Sequence, residues 1–105
     1  MSNEELPRNY RLMLEQHPEY MQALSRLGQT VRQEGPLQEK TIELLQLVTA
    51  AALHLEGAVH SPARRALQAG ASAEEIRHAL IAMTSTAGFP TVAAAMSWAR
   101  DVIGE

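Results

Sequence analysis

The chain has 105 residues, 46% of them hydrophobic and only 4% aromatic, which is enough apolar material for one core built from Leu, Ile, Val, Met and Ala. A net charge of −3 with no basic run, Arg64-Arg65 being the densest positive spot, excludes a nucleic-acid footprint. With no cysteine, the chain forms no disulfide, zinc–thiolate site or thiol redox couple of its own.

Proline, glycine and short polar residues cut the sequence into helix-sized pieces. A short first helix is expected from Glu5 to Gln16, ended by His17-Pro18, and residues 1–16 are read as an N-terminal helical extension to a domain over 17–105. Pro18 suits the first position of the next helix, where the missing N–H needs no partner. There Tyr20, Met21, Leu24, Leu27 and Val31 recur at helical spacing and predict an inward stripe, stopped by Gly35-Pro36. Leu37 to about Leu55 is apolar nearly all round and reads as the central, buried helix. Its strongly apolar part, Leu44 to Leu55, is too short for a bilayer span, and His54 sits within it.

Ser61-Pro62 reads as an N-cap followed by proline at N1, opening a short helix through Ala69 that Gly70 closes. Ser72-Ala73-Glu74-Glu75 has the form of a capping box. Its helix is expected to carry Ile76, Leu80, Ile81 and Met83 inward. Gly88-Phe89-Pro90 breaks the chain again, and Thr91 to Ile103 forms the last helix around Val92, Ala95, Met96, Ala99 and Val102, with Trp98 as a packing anchor. No segment alternates with period two, so the fold class is all-α, a bundle of about five or six helices. The alanine clusters at Ala50–Ala52 and Ala93–Ala95 allow close helix approach. The apolar excess on so short a chain predicts a homo-oligomer. The acidic N-terminus lacks the pattern of a signal peptide, making the cytoplasm the expected location.

The ordered series Leu37…Lys40-Thr41…Glu43-Leu44-Leu45, an alanine-rich helix, Arg64-Arg65-Ala66-Leu67…Ala69-Gly70-Ala71-Ser72…Glu75-Ile76, Gly88-Phe89-Pro90 and Trp98-Ala99 resembles the AhpD-like/carboxymuconolactone decarboxylase family. With the preceding helix, the resemblance covers roughly four-fifths of the chain. It implies an AhpD-like helical bundle that assembles as a trimer or hexamer. Thiol-bearing members carry a glutamate twelve residues before a Cys-x-x-Cys-x-x-x-His motif. Counted back from Gly70, the cysteines fall at Leu55 and Ala58, the histidine at Pro62 and the glutamate at Glu43. Only the glutamate is kept. Peroxide reduction needs a thiolate and a resolving thiol, which Leu55 and Ala58 do not supply. The decarboxylase branch needs no thiols but uses an acid–base histidine where Pro62 stands.

Three residues are therefore the candidates for catalysis. Glu43 is a carboxylate on an apolar helix, where burial would favour its use as a proton carrier; its plainer role is a hydrogen-bonded core or interface carboxylate. His60, two positions before Pro62, is a substitute acid or base, or else an ordinary histidine before a helix start. His54 shares Glu43's face about three turns away, too far for direct contact. Their spacing matches no metal-ligand pattern, and no cofactor is expected. Arg64 and Arg65 read as a solvated face or as interface partners for glutamates. His17 and His78 read as surface residues, and Met21, Met83 and Met96 as core filling. Three readings follow: a family member without thiol chemistry serving as a binding or structural oligomer, with a small molecule as candidate ligand; a lyase or hydrolase using Glu43 with His60 or His54; and a peroxidase borrowing a partner's thiol. Neither nucleic acid nor membrane is expected as a partner.

Overall fold

The computed structural model describes residues 7–105, which include no strand. Seven helical segments follow in order: α1 (Arg8–Gln16), α2 (Pro18–Gln33), α3 (Glu39–Ala52), α4 (Glu56–Gln68), α5 (Ala73–Ala82), α6 (Thr84–Ala87) and α7 (Phe89–Ile103). The single turn α6 is the addition to the expected count; the other six run nine residues or longer. The chain divides into two compact units, one ending at Pro36 and the other running from Leu37 to Glu105.

In the first unit α1 packs on α2. Pro7 precedes α1, so the helix begins later than the Glu5 expected from sequence, and Glu5 itself lies outside the described residues. Pro18 occupies the opening of α2 as its missing N–H dictates. The apolar stripe of α2 is present, yet Met21 alone is buried; Tyr20, Leu24, Leu27 and Val31 are exposed on the chain. Two short helices do not enclose a stripe of that breadth.

The second unit has its core where α3, α4, α5 and α7 meet. Leu47, Ala51, Val59, Ala63, Ala66, Ile76, Leu80, Ala95 and Ala99 are fully enclosed there. Five of these nine are alanines, so helix backbones approach closely and the few large side chains fill the space between them. Leu44, Val48, Met83, Met96, Trp98 and Val102 pack around that centre. α3 is not sheathed all round. One face, Glu43, Leu47, Ala50 and Ala51, is buried, whereas Leu45 and Leu53 are exposed. Ile81 of α5 likewise faces outward, since it lies one position past the buried Ile76/Leu80 row.

Helix ends follow local rules, with two informative departures. Ser72 Oγ accepts from the Glu75 backbone N–H at 3.0 Å while Glu75 Oε1 accepts from Ser72 N–H at 2.9 Å, completing the capping box. Gly70, at φ +99°, ends α4 with the paired bonds Ala71 N–H to Ala66 O and Gly70 N–H to Leu67 O. α3 ends by the same geometry, Leu55 N–H to Ala50 O and His54 N–H to Ala51 O, but His54 (φ +58°) takes the left-handed position that glycine usually fills. The second departure is Pro62. It lies inside α4, seventh in the helix and buried, and not at its start. The expected Ser61 cap is absent: Ser61 Oγ accepts from Arg64 Nη2 at 3.4 Å, and Leu55 and Glu56 begin the helix. An interior proline removes one ladder bond and crowds the carbonyl four residues back, that of Ala58. Packing of Val59, Ala63 and Ala66 against the neighbouring helices offsets that cost.

Candidate functional site

Glu43 lies in the second turn of α3 and its side chain is 1% exposed. Arg65, in the last turn of α4, supplies a countercharge from across the helix pair: Nε donates to Oε1 at 3.0 Å and to Oε2 at 3.1 Å. Its Nη2 donates to Gln46 Oε1 at 2.9 Å, one turn along α3. The pair is asymmetric, because the arginine side chain is 39% exposed. Burying a carboxylate is costly unless it is paired and hydrogen-bonded, and this guanidinium contributes a countercharge and N–H donors.

Beside the pair, α3 and α4 form a groove of about 460 Å³. Its apolar wall consists of Leu45 and Leu53 from the outer side of the α3 end, Leu55 from the turn, and Ala58 and Pro62 from α4. Gln46, Ser61 and Arg65 are polar residues on the same lining. Thr49, also on the wall, spends its hydroxyl proton locally, donating to Leu45 O at 2.7 Å.

The histidines turn elsewhere. His54 Nε2 is 3.2 Å from Thr91 Oγ1, a buried hydroxyl on α7, and the ring meets Trp98 edge-on at 6.4 Å. His60 Nε2 pairs with Asp101 Oδ2 of α7 at 3.0 Å. Neither histidine hydrogen-bonds Glu43. Glu43, His54 and His60 thus each have a separate partner, and the structure does not gather them into one cluster. His17 and His78 are exposed. Among the described residues no group of His, Asp and Glu has the arrangement of a metal site. Among the described residues no helix is long and apolar enough to cross a membrane.

Arg65 is the residue that sequence reasoning misplaced, since its partner glutamate is 22 positions away in the same chain. The signal available was physical: a carboxylate on a buried helix face requires a cation, and Arg64-Arg65 is the only adjacent basic pair in the sequence. Thr91 and Trp98 as anchors of His54 left no signal at all.

An all-helical domain in which a helical hairpin presents a buried acid beside a groove belongs to a class of small α-bundles whose sites lie between facing helices. The carboxymuconolactone decarboxylase family model matches residues 18–101, and the chain belongs to that family. Among curated proteins none matches the chain. In the register of the AhpD-like resemblance, the two thiol positions and the histidine position are Leu55, Ala58 and Pro62. All three line the groove.

Proposed function

We propose that the chain is a family member whose site has passed from thiol and acid–base chemistry to binding, and that it acts as a small-molecule-binding oligomer without peroxidase activity. One observation carries this reading. The groove holds leucine, alanine and proline where thiol-bearing members have their reactive groups, so its surface is suited to apolar contact and offers no nucleophile at those positions. Hydroperoxide consumption by the purified protein with a dithiol reductant should be indistinguishable from buffer. Turnover that disappears in Glu43→Gln would overturn the reading.

The lyase reading keeps Glu43, with His60 or His54, as its candidate residues. Its requirement is a histidine brought to Glu43, and a pH–rate profile altered by both Glu43→Gln and His60→Ala would favour it over binding. For the oligomer, the support is the exposed row Tyr20, Leu24, Leu27 and Val31 on α2, an apolar stripe longer than a soluble monomer ordinarily leaves open. Light scattering at micromolar concentration should give a mass of several chains, a trimer or hexamer. A monomer would refute it.

A further inference from the structure

We infer that the exposed face of α2 pairs two copies of this chain, the two α2 helices lying antiparallel across a two-fold axis, and that this contact joins two trimers into a hexamer. The inference rests on the oligomer reading above and names the surface and the symmetry behind it. Tyr20, Leu24, Leu27 and Val31 are 60%, 48%, 58% and 55% exposed. Their spacing of four, three and four residues is the a/d alternation of a coiled-coil seam. Met21 is the buried residue of α2, and the half-buried Gly28 and Arg32 share its side, where α1 packs. At about 100° per residue that side lies a quarter-turn or so from the seam. A second α2 therefore meets α2 at right angles to α1, the arrangement of a four-helix bundle made from two hairpins.

The spacing is a palindrome, and that decides the direction. Antiparallel about the point between Ser25 and Arg26, Leu24 faces the partner's Leu27 and Tyr20 faces the partner's Val31. Each layer then holds two leucines, or one ring against one small branched side chain. A parallel pair would set both Tyr20 rings at one end and both Val31 side chains at the other, overfilling one layer and leaving the other thin. The antiparallel direction also opposes the two helix dipoles and brings the acidic first turn, with Glu19, level with the basic last turn, with Arg32. Ala23 and Thr30 flank the seam with small side chains, so the backbones approach closely. At these exposures the seam and its flanks carry roughly 500 Å² per copy, and pairing covers about 1,000 Å², the size expected of a specific contact. A two-fold contact closes on itself and builds no trimer, so its place in the assembly is between trimers.

The chain has no cysteine, so introduced thiols report this contact without background. In a glutathione redox buffer, Tyr20→Cys combined with Val31→Cys in the full chain should give disulfide-linked pairs of chains, because the antiparallel seam sets each thiol against the other on the partner. Either substitution alone should give none, since like positions then lie about 16 Å apart along the paired helices. By light scattering the parent should have a hexamer's mass, and Leu24→Glu combined with Leu27→Glu should halve it. Helical circular dichroism should be retained, because both positions are exposed. Self-linking of Tyr20→Cys alone would overturn the antiparallel direction. An unlinked double-cysteine variant, or a mass that the two glutamates leave unchanged, would overturn the seam, and a parent trimer would overturn its place between trimers. A parent monomer would refute the oligomer reading itself and this contact with it, so the two failures are distinguishable.

Discussion

Removing the Arg65 guanidinium tests the centre of the structure most directly. Arg65→Met keeps most of the side-chain volume and the packing of α4 on α3, but it withdraws both Nε contacts from Glu43 and the Nη2 bond to Gln46. Breaking a fully buried ion pair from one side costs about 3–5 kcal/mol. Here the cation side chain is 39% exposed, so water reaches part of the vacated space and the expected loss is discounted to about 2–3 kcal/mol. With a urea m-value of about 1–2 kcal/mol/M for a domain of this size, the unfolding midpoint falls by about 1–3 M. Glu43→Leu combined with Arg65→Met removes both charges together and should recover to within about 1 kcal/mol of the parent, because the desolvation cost vanishes with the interaction. The assay is urea unfolding followed by circular dichroism, with protein concentration held constant because oligomers unfold in a concentration-dependent way. The reasoning is refuted if Arg65→Met lies within about 0.5 kcal/mol of the parent, or if the double variant is no more stable than Arg65→Met alone.

Other perturbations separate local causes. His54→Ala keeps a side chain at φ +58° but loses the Thr91 bond and the Trp98 edge, at a cost of about 1–2 kcal/mol. His54→Gly loses the same contacts and relieves the left-handed strain, so it should be about 1 kcal/mol more stable than His54→Ala in thermal or urea unfolding; the opposite order would deny strain at this turn. Ser72→Ala should cost about 1 kcal/mol through the lost cap, by the same assay. The Glu75 carboxyl is held below its ordinary value of 4.5, first by the Ser72 backbone N–H and then by Lys40. Its stabilisation is therefore present above pH 4.5 and lost as pH falls through the lowered folded value; Glu75→Gln should make the acid limb of stability against pH shallower. Leu47→Ala, at a site with no exposure, should cost about 3 kcal/mol, whereas Ile81→Ala on the outer face of α5 should stay within about 0.5 kcal/mol.

The fold was legible wherever its signals were local and periodic. The Ser72/Glu75 box, the glycine ending α4, proline opening α2 and the Val92/Ala95/Ala99 row of α7 all depend on residues within a few positions of one another. Such signals are readable because the residues that make them are neighbours along the chain. Pro62 shows the limit. Ser-Pro is a good helix-opening pair, and nothing nearby reveals that α4 starts six residues earlier. Whether a proline opens a helix or interrupts one depends on whether the preceding turn has something to pack against. Here Val59 packs into the core contributed by other helices. The same non-locality explains Leu45, Leu53 and Ile81: composition marks them apolar, but only the angle between neighbouring helices determines which side of a crowded helix stays open.

The site was half legible for a related reason. Counting along the sequence located Glu43 and the three replaced positions, since a spacing is a local property; identifying what faces Glu43 required knowing how α3 and α4 lie against one another. The two histidines attracted attention because imidazole is versatile, yet both are directed to α7 by bonds spanning 37 and 41 positions. Arg65 looked like a solvated charge, and part of it is. Its Nε pairs with the buried Glu43 carboxylate, while the side chain as a whole is 39% exposed and lines the groove. Leu55, Ala58 and Pro62, at the positions where the resemblance puts the thiols and the histidine, line an open groove. A groove that stays open where those three residues stand is what the binding reading requires, so a small-molecule titration tests that reading more directly than a search for turnover.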